Sequence, residues 1–349
     1  MGQMLSSNLT AQFLEACKSG DIITLKSLDY AKVDIHDVNE YAFWVACGNG
    51  HIDVVHFLIS LEPEYGKINI HANNEGAFRL ACSNNHLEVV KFLLSLEPEY
   101  GRINIHANNE VAFRLACFRG NTNIIKYLIS LEPDHNHIDI HYDNEYAFLA
   151  ACRSGNVETI EYLLSLQRNI NIHANNDRSF LAACYDGYAH VVKFLLSLEP
   201  THGQINIHSR QDRAFQLACE NGHLDIVKLL ISSEATHRKI DIHVYDDYVF
   251  RYTCENGILD VVKYLLSLEP THGNFNHYNY VFMKSNIHIQ HILVKHKKHN
   301  WEQLKGYQTY KNNLNQIIDN LSILHQTLQQ INTSILELNV ISLIKDFIL

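Results

Sequence analysis

All eight cysteines of the chain occupy one slot of a repeating unit, and each has a phenylalanine four residues before it. Cys47, Cys82, Cys117 and Cys152 advance in steps of 35 residues, and Cys184 follows after 32. Cys219 and Cys254 return to 35, and Cys17 stands 30 before Cys47. Seven histidines keep the same beat, closing an Ile-x-Ile-His or Asp-Ile-His signature: His36, His71, His106, His141, His173, His208 and His243. A period in the thirties with a helix-turn-helix pattern specifies stacked units rather than a globular enzyme domain.

That register governs the cysteine chemistry. Stacked helices lie roughly 8–10 Å apart, whereas a disulfide needs Cα atoms within about 7 Å. Each cysteine follows a small residue on an apolar stripe, where it packs as a compact core side chain. Free thiols, and the absence of an N-terminal apolar stretch resembling a signal peptide, point to a reducing compartment. The net charge of −10 does not favour nucleic acid as a partner, and no run is apolar enough for a membrane span.

Residues 68–102 show the unit. Phe78, Leu80, Ala81 and Cys82 make a short apolar face, and Leu87, Val89, Val90, Leu93 and Leu94 a second stripe at helical spacing. Asn84-Asn85-His86 between them is turn chemistry. All five prolines follow a glutamate in the same loop (Pro63, Pro98, Pro133, Pro200, Pro270), where the Glu-Pro pair is expected to end the helix. Asn39, Asn74, Asn109, Asn144, Asn176, Gln211 and Asp246 are expected to cap the next helix. The acid after each (Glu40, Glu75, Glu110, Glu145, Asp177, Asp212, Asp247) suits the helix dipole and is read as structural.

Segments such as LACENGHLDIVKLLI (217–231) and LACSNNHLEVVKFLL (80–94) resemble the second half of an ankyrin repeat. The first half departs from that family: Gly76-Ala77-Phe78-Arg79 stands where Thr-Pro-Leu-His is usual. The Ile-x-Ile-His-x-x-Asn-Glu form with LLSLEPxxG is similar to the ankyrin repeats of giant viruses of the mimivirus type. The resemblance implies an all-α ankyrin-repeat solenoid over residues 11–290, after a tail at 1–10 and before a C-terminal helical segment at 300–349. Residues 11–28 match only the helical half and read as a cap. Seven units start near Asp34, Ile68, Ile103, Ile138, Ile170, Ile205 and Ile240. An eighth, from Phe275, is degenerate, with Asn279 and Asn286 in the acid and cysteine slots.

No chemistry for catalysis is legible. The histidines of the Ile-His column stand one repeat apart, too far to share an ion at the ~2.0–2.1 Å that zinc requires. There is no Cys/His frame with metal spacing, no phosphate loop, no HExxH and no nucleophile elbow. No cofactor, no metal and no catalytic residue is therefore expected.

Variable slots remain as the candidate site. In the ankyrin family, recognition uses the finger tips and the exposed side of the first helix, along the concave face. Two slots vary most here, one just after the helix-start acid and one just after the cysteine. Phe118, Arg119, Arg153 and Tyr185, with Tyr146, Arg178 and Arg213, are of types enriched at interfaces. The expected function is non-enzymatic binding of a partner protein. The viral style implies a protein of a host cell, met in the cytoplasm. The alternative places an enzymatic or oligomerising activity in the C-terminal segment.

That segment carries a second period. Leu314, Ile317, Leu321, Leu324, Leu328, Ile331, Ile335 and Leu338 alternate steps of three and four, and Tyr307 and Tyr310 extend the series backward. Leu314–Leu338 either self-associates as a coiled coil or folds back over the open end of the solenoid. Asn332-Thr333-Ser334 weakens the helix locally. Met1-Gly2-Gln3-Met4-Leu5-Ser6 fits the N-myristoylation pattern without a second anchor. The basic run Lys295–His299 reads as a solvated linker.

Overall fold

Nine phenylalanines set the frame: Phe13, Phe43, Phe78, Phe113, Phe148, Phe180, Phe215, Phe250 and Phe282 are each almost wholly buried. Each sits one turn before its cysteine on the same helix, the Cys254 counterpart in the eighth repeat being absent. Truncating one such ring to alanine costs about 3–5 kcal/mol. The computed structural model describes residues 2–296 and 306–331, and all regular elements among these residues are helices.

The chain divides into two units, Met1–Asn206 and Ile207–Leu349. In the first unit, Gly2–Ser19 and Ile22–Ser27 precede five helix pairs. These are Asp37–Gly48 with Ile52–Ser60, Ala72–Ser83 with Leu87–Ser95, Ala107–Arg119 with Thr122–Ser130, Tyr142–Ser154 with Val157–Ser165, and Ala174–Asp186 with Ala189–Ser197. Each first helix packs on the first helix of the next pair. The opening helix begins at Gly2, ahead of Ala11 where the repeat pattern starts. The second unit pairs Ser209–Glu220 with Leu224–Ser232, Val244–Glu255 with Leu259–His272, and Tyr278–Lys284 with Ile287–Lys295. The degenerate eighth repeat thus still forms two helices, and Tyr307–Ile331 follows it.

All eight thiols are free and buried, in line with the register argument. Burial pushes the Cys17 thiol up to about 12 and the others higher still.

The Glu-Pro insert forms one short turn, as at Glu62–Tyr65 and Glu97–Tyr100. Proline is tolerated in a first turn because its missing N–H would have no partner there. Leu61 and Leu96 before it keep right-handed helical torsions. The break is therefore slight, and in Leu259–His272 it vanishes, with Pro270 inside a continuous helix. Gly66 then reverses the chain at φ 100°, where a Cβ would also stand 3.2 Å from His36 Nε2.

One expectation fails. The asparagines before each acid do not cap a right-handed helix: no side-chain cap bond forms at these starts. Instead, residues such as Asn108, Asn109 and Glu110 have φ of 54°, 59° and 63°, one turn of left-handed backbone. Each such residue costs roughly 1–2 kcal/mol unless its side chain bonds locally, which Asn and Asp do best. Arginines from the following turn satisfy the carbonyls so exposed. Arg79 donates to Asn74 and Asn73 at 2.7 and 2.8 Å, and Arg251 to Asp246 and Tyr245 at 3.0 and 3.2 Å.

Candidate partner-binding face

The seven residues picked out by variation all lie on first helices, but their surroundings differ. Phe118, in the last turn of Ala107–Arg119, leaves 38% of its surface exposed. The Arg153 guanidinium of the next repeat lies 5.8 Å from its ring centre. Arg153 Nε in turn donates to Asp186 at 3.0 Å. That bond holds the guanidinium above its ordinary value, and the hydroxyls of Tyr146 and Tyr185 also act on it. A ring that would otherwise retreat from water is thus clamped at the surface by a cation whose position an acid fixes. Each contact is worth roughly 0.5–1 kcal/mol at such exposure.

Tyr185 is 49% exposed, and Arg119 and Arg178 are exposed on their helices. Tyr146 is half-buried with Arg114 5.1 Å from its ring. Arg213 belongs to the second unit and bonds Glu220 and Gln216 at 2.8 and 3.0 Å. Arg114 was missed at the sequence level. Its carbonyl bond to Asn108 at 3.3 Å, and its place over Tyr142 at 5.0 Å, repeat the Arg79 arrangement. An arginine directly after the core phenylalanine was the available signal.

The acid column has a role that the helix dipole did not suggest. Each acid is buried and accepts from the histidine four residues before it, as with His106 Nδ1 and Glu110 at 2.8 Å. The same carboxylates accept a backbone N–H from the next repeat: Asn69 to Glu40 at 3.0 Å, Asn104 to Glu75 at 3.1 Å, Asn171 to Glu145 at 3.1 Å. The histidine column is structural, and it ties neighbouring repeats together.

The Glu-Pro glutamates form a second such column. Glu62, Glu97, Glu132 and Glu199 accept the N–H of Ile68, Ile103, Ile138 and Ile205 at 2.8–3.1 Å. A donor one repeat on meets the other oxygen: the Tyr100 hydroxyl on Glu62, His135 3.6 Å from Glu97, and Arg168 on Glu132. Burial alone would raise Glu132. Arg168, His137 and the Ile138 N–H outweigh it and hold the carboxyl at about 2.

In the second unit, Glu269 is 2% exposed and accepts from Phe275 N–H at 3.1 Å and from the Tyr278 hydroxyl. His296 completes the set at 2.6 Å and stacks 6.5 Å from Tyr278. His296 is therefore an anchor, which corrects its reading as part of a solvated linker; residues 297–299 lie outside the described ones. Tyr310, 4% exposed, meets Phe282 edge-on at 5.6 Å and bonds His291 at 2.9 Å. The helix Tyr307–Ile331 carries the seam as far as Ile331; Ile335 and Leu338 lie outside the described residues.

Among the described residues, no group of three His, Cys, Asp or Glu is placed to hold a metal ion, and no helix is long and apolar enough to cross a membrane. No curated protein matches the chain. A family model for ankyrin repeats in three copies matches residues 13–109, 96–177, 113–208 and 180–279. Those matches run from the first buried phenylalanine into the degenerate eighth repeat. The chain belongs to the ankyrin-repeat family.

Proposed function

We propose that the chain is a non-enzymatic scaffold that binds a partner protein through the concave face lined by first helices. Ankyrin repeats generally mediate protein–protein interaction. The observation that carries the reading to these residues is Phe118, exposed yet held by Arg153 and Asp186. A preset aromatic anchor loses little entropy on binding, which is what interface hot spots share. Arg119, next to it in the chain, and Arg178, exposed on the first helix two repeats on, suit carboxylates of a partner. The giant-virus style of the repeats supports a host protein in the cytoplasm as that partner. Phe118→Ala with Arg153→Ala should weaken capture from host-type lysate by about 2 kcal/mol or more, with an unchanged circular dichroism melt. Equal capture by the variant moves the interface elsewhere.

The buried Tyr310 supports Tyr307–Ile331 as an end cap rather than a self-association helix. Light scattering should then give the mass of one chain. A concentration-independent trimer or tetramer would refute the cap.

A further inference from the structure

Five histidines each face two acceptors at once. In the first unit, Nδ1 of His36, His71, His106 and His173 lies 2.9, 3.0, 2.8 and 2.6 Å from the carboxylates of Glu40, Glu75, Glu110 and Asp177. Their Nε2 atoms lie 3.1, 3.0, 2.6 and 2.9 Å from the carbonyls of Tyr65, Tyr100, His135 and His202, one loop later in the chain. His243 repeats this in the second unit, with Asp247 at 2.6 Å and the His272 carbonyl at 3.1 Å. A neutral imidazole has a single N–H and cannot donate to both sides. Nor is the carboxyl the better place for the proton. Each of these acids also accepts a backbone N–H, from Asn69, Asn104, Asp139, Asn206 and Asn276, so its oxygens already serve as acceptors toward two donors.

We propose that these five imidazoles are held as imidazoliums at neutral pH, each a proton-binding site that locks one repeat to the next. The rings are 27–32% exposed, so water at the rim can deliver and remove the proton. The charges facing them are acidic: Glu40 and Asp34 on His36, Glu110 and Glu132 on His106, Asp177 and Glu199 on His173. Glu75 faces His71 and Asp247 faces His243. Partial burial alone would lower His36, His106 and His173; the carboxylate and carbonyl bonds outweigh it and hold all three above the ordinary imidazole value.

The sign follows from linkage. A folded-state pKa above the unfolded value near 6.5 gives stability that is complete below that value. It is lost as pH rises through the folded pKa. The stack should therefore tighten in mild acid and loosen on the alkaline side of neutrality. Two histidines serve as internal controls. His141 bonds Glu145 but is 44% exposed, and among the described residues the shortened loop after it brings no carbonyl to its Nε2. His135 receives the Arg102 Nε–H on Nδ1 at 3.4 Å, so that nitrogen carries no proton.

The test uses the uniformly ¹⁵N-labelled full chain. Long-range ¹H–¹⁵N correlation spectra of the imidazoles are recorded from pH 6 to 8.5, with thermal melts alongside. The five rings should be protonated on both nitrogens at pH 7, and His135 on one. The melting temperature should fall by roughly 3 °C or more from pH 6.5 to 8.5. Glu110→Gln keeps an acceptor for the Asp139 N–H but removes the charge. It should leave His106 with one proton and reduce the proton release on unfolding by up to about one. If that variant fails to fold, the wild-type spectra still decide. Neutral tautomers at the five positions at pH 7, or a melting temperature that is flat or rises with pH, would overturn the proposal.

Discussion

The junction after Leu131, which carries the Glu-Pro insert, and the junction after Leu166, which lacks it, meet the same demand with different charges. With the insert, the loop from Glu132 to His135 brings the His135 carbonyl to His106 and offers Glu132 to the Ile138 N–H. Without it, the chain from Leu166 to Ile172 is three residues shorter. Gln167 and Asn169 take left-handed torsions, with φ of 54° and 53°, and Arg168 turns back onto Glu132. The insert thus delivers a carbonyl and a carboxylate, and an arginine takes over where it is missing. A proton-dependent tie is exchanged for a permanent ion pair. The two ties should fail at opposite ends of the pH scale.

The largest effect is expected at Glu132. Its replacement by alanine strands the Arg168 guanidinium and the Ile138 N–H, and should cost about 3 kcal/mol in a denaturant melt. Glu97→Ala should cost less, about 1–2 kcal/mol, because its His135 partner stands off at 3.6 Å. Equal losses would break the comparison. The pH sign is opposite to that of the histidines. The folded Glu132 carboxyl lies near 2, so its contribution is present above the ordinary carboxylate range and lost as pH falls toward 2. Glu132→Gln should flatten that acid limb.

A smaller effect separates the same two repeats at their cores. Cys117→Ser places a hydroxyl where the side chain is 0% exposed and should destabilise by about 1–3 kcal/mol. Cys152 is equally buried, but the Ser179 hydroxyl of the following repeat already bonds it. Serine at 152 inherits that partner, so its cost should be about 1 kcal/mol lower. Thermal melts of the two variants under reductant measure the difference. Equal losses would deny Ser179 any role.

The sequence made some of this legible and hid the rest for identifiable reasons. Phe113 and Cys117 repeat because their slots admit little else, so a column of identical core residues announces the stack. The acid at Glu110 was visible as a column too, yet its partners were not. They lie four residues back and 29 residues on, and only folding brings His106 and Asp139 to the same carboxylate. Asn108-Asn109 misled because asparagine serves both helix caps and left-handed turns. Two in a row, ahead of an acid and after a histidine, was the signal for the turn. At the candidate face, Phe118 stood out by its departure from the column. That Arg153 and Asp186 fix it was not readable across 33 residues of chain.

The eight sealed thiols have a kinetic consequence. Alkylating reagents attack thiolates, and none of these sulfurs is ionised or reachable while its repeat is closed. Each cysteine therefore reacts only at the rate at which its own repeat opens, and the chain carries one clock per step. Mapping the labelled peptides over time would rank the repeats by opening free energy without a single substitution.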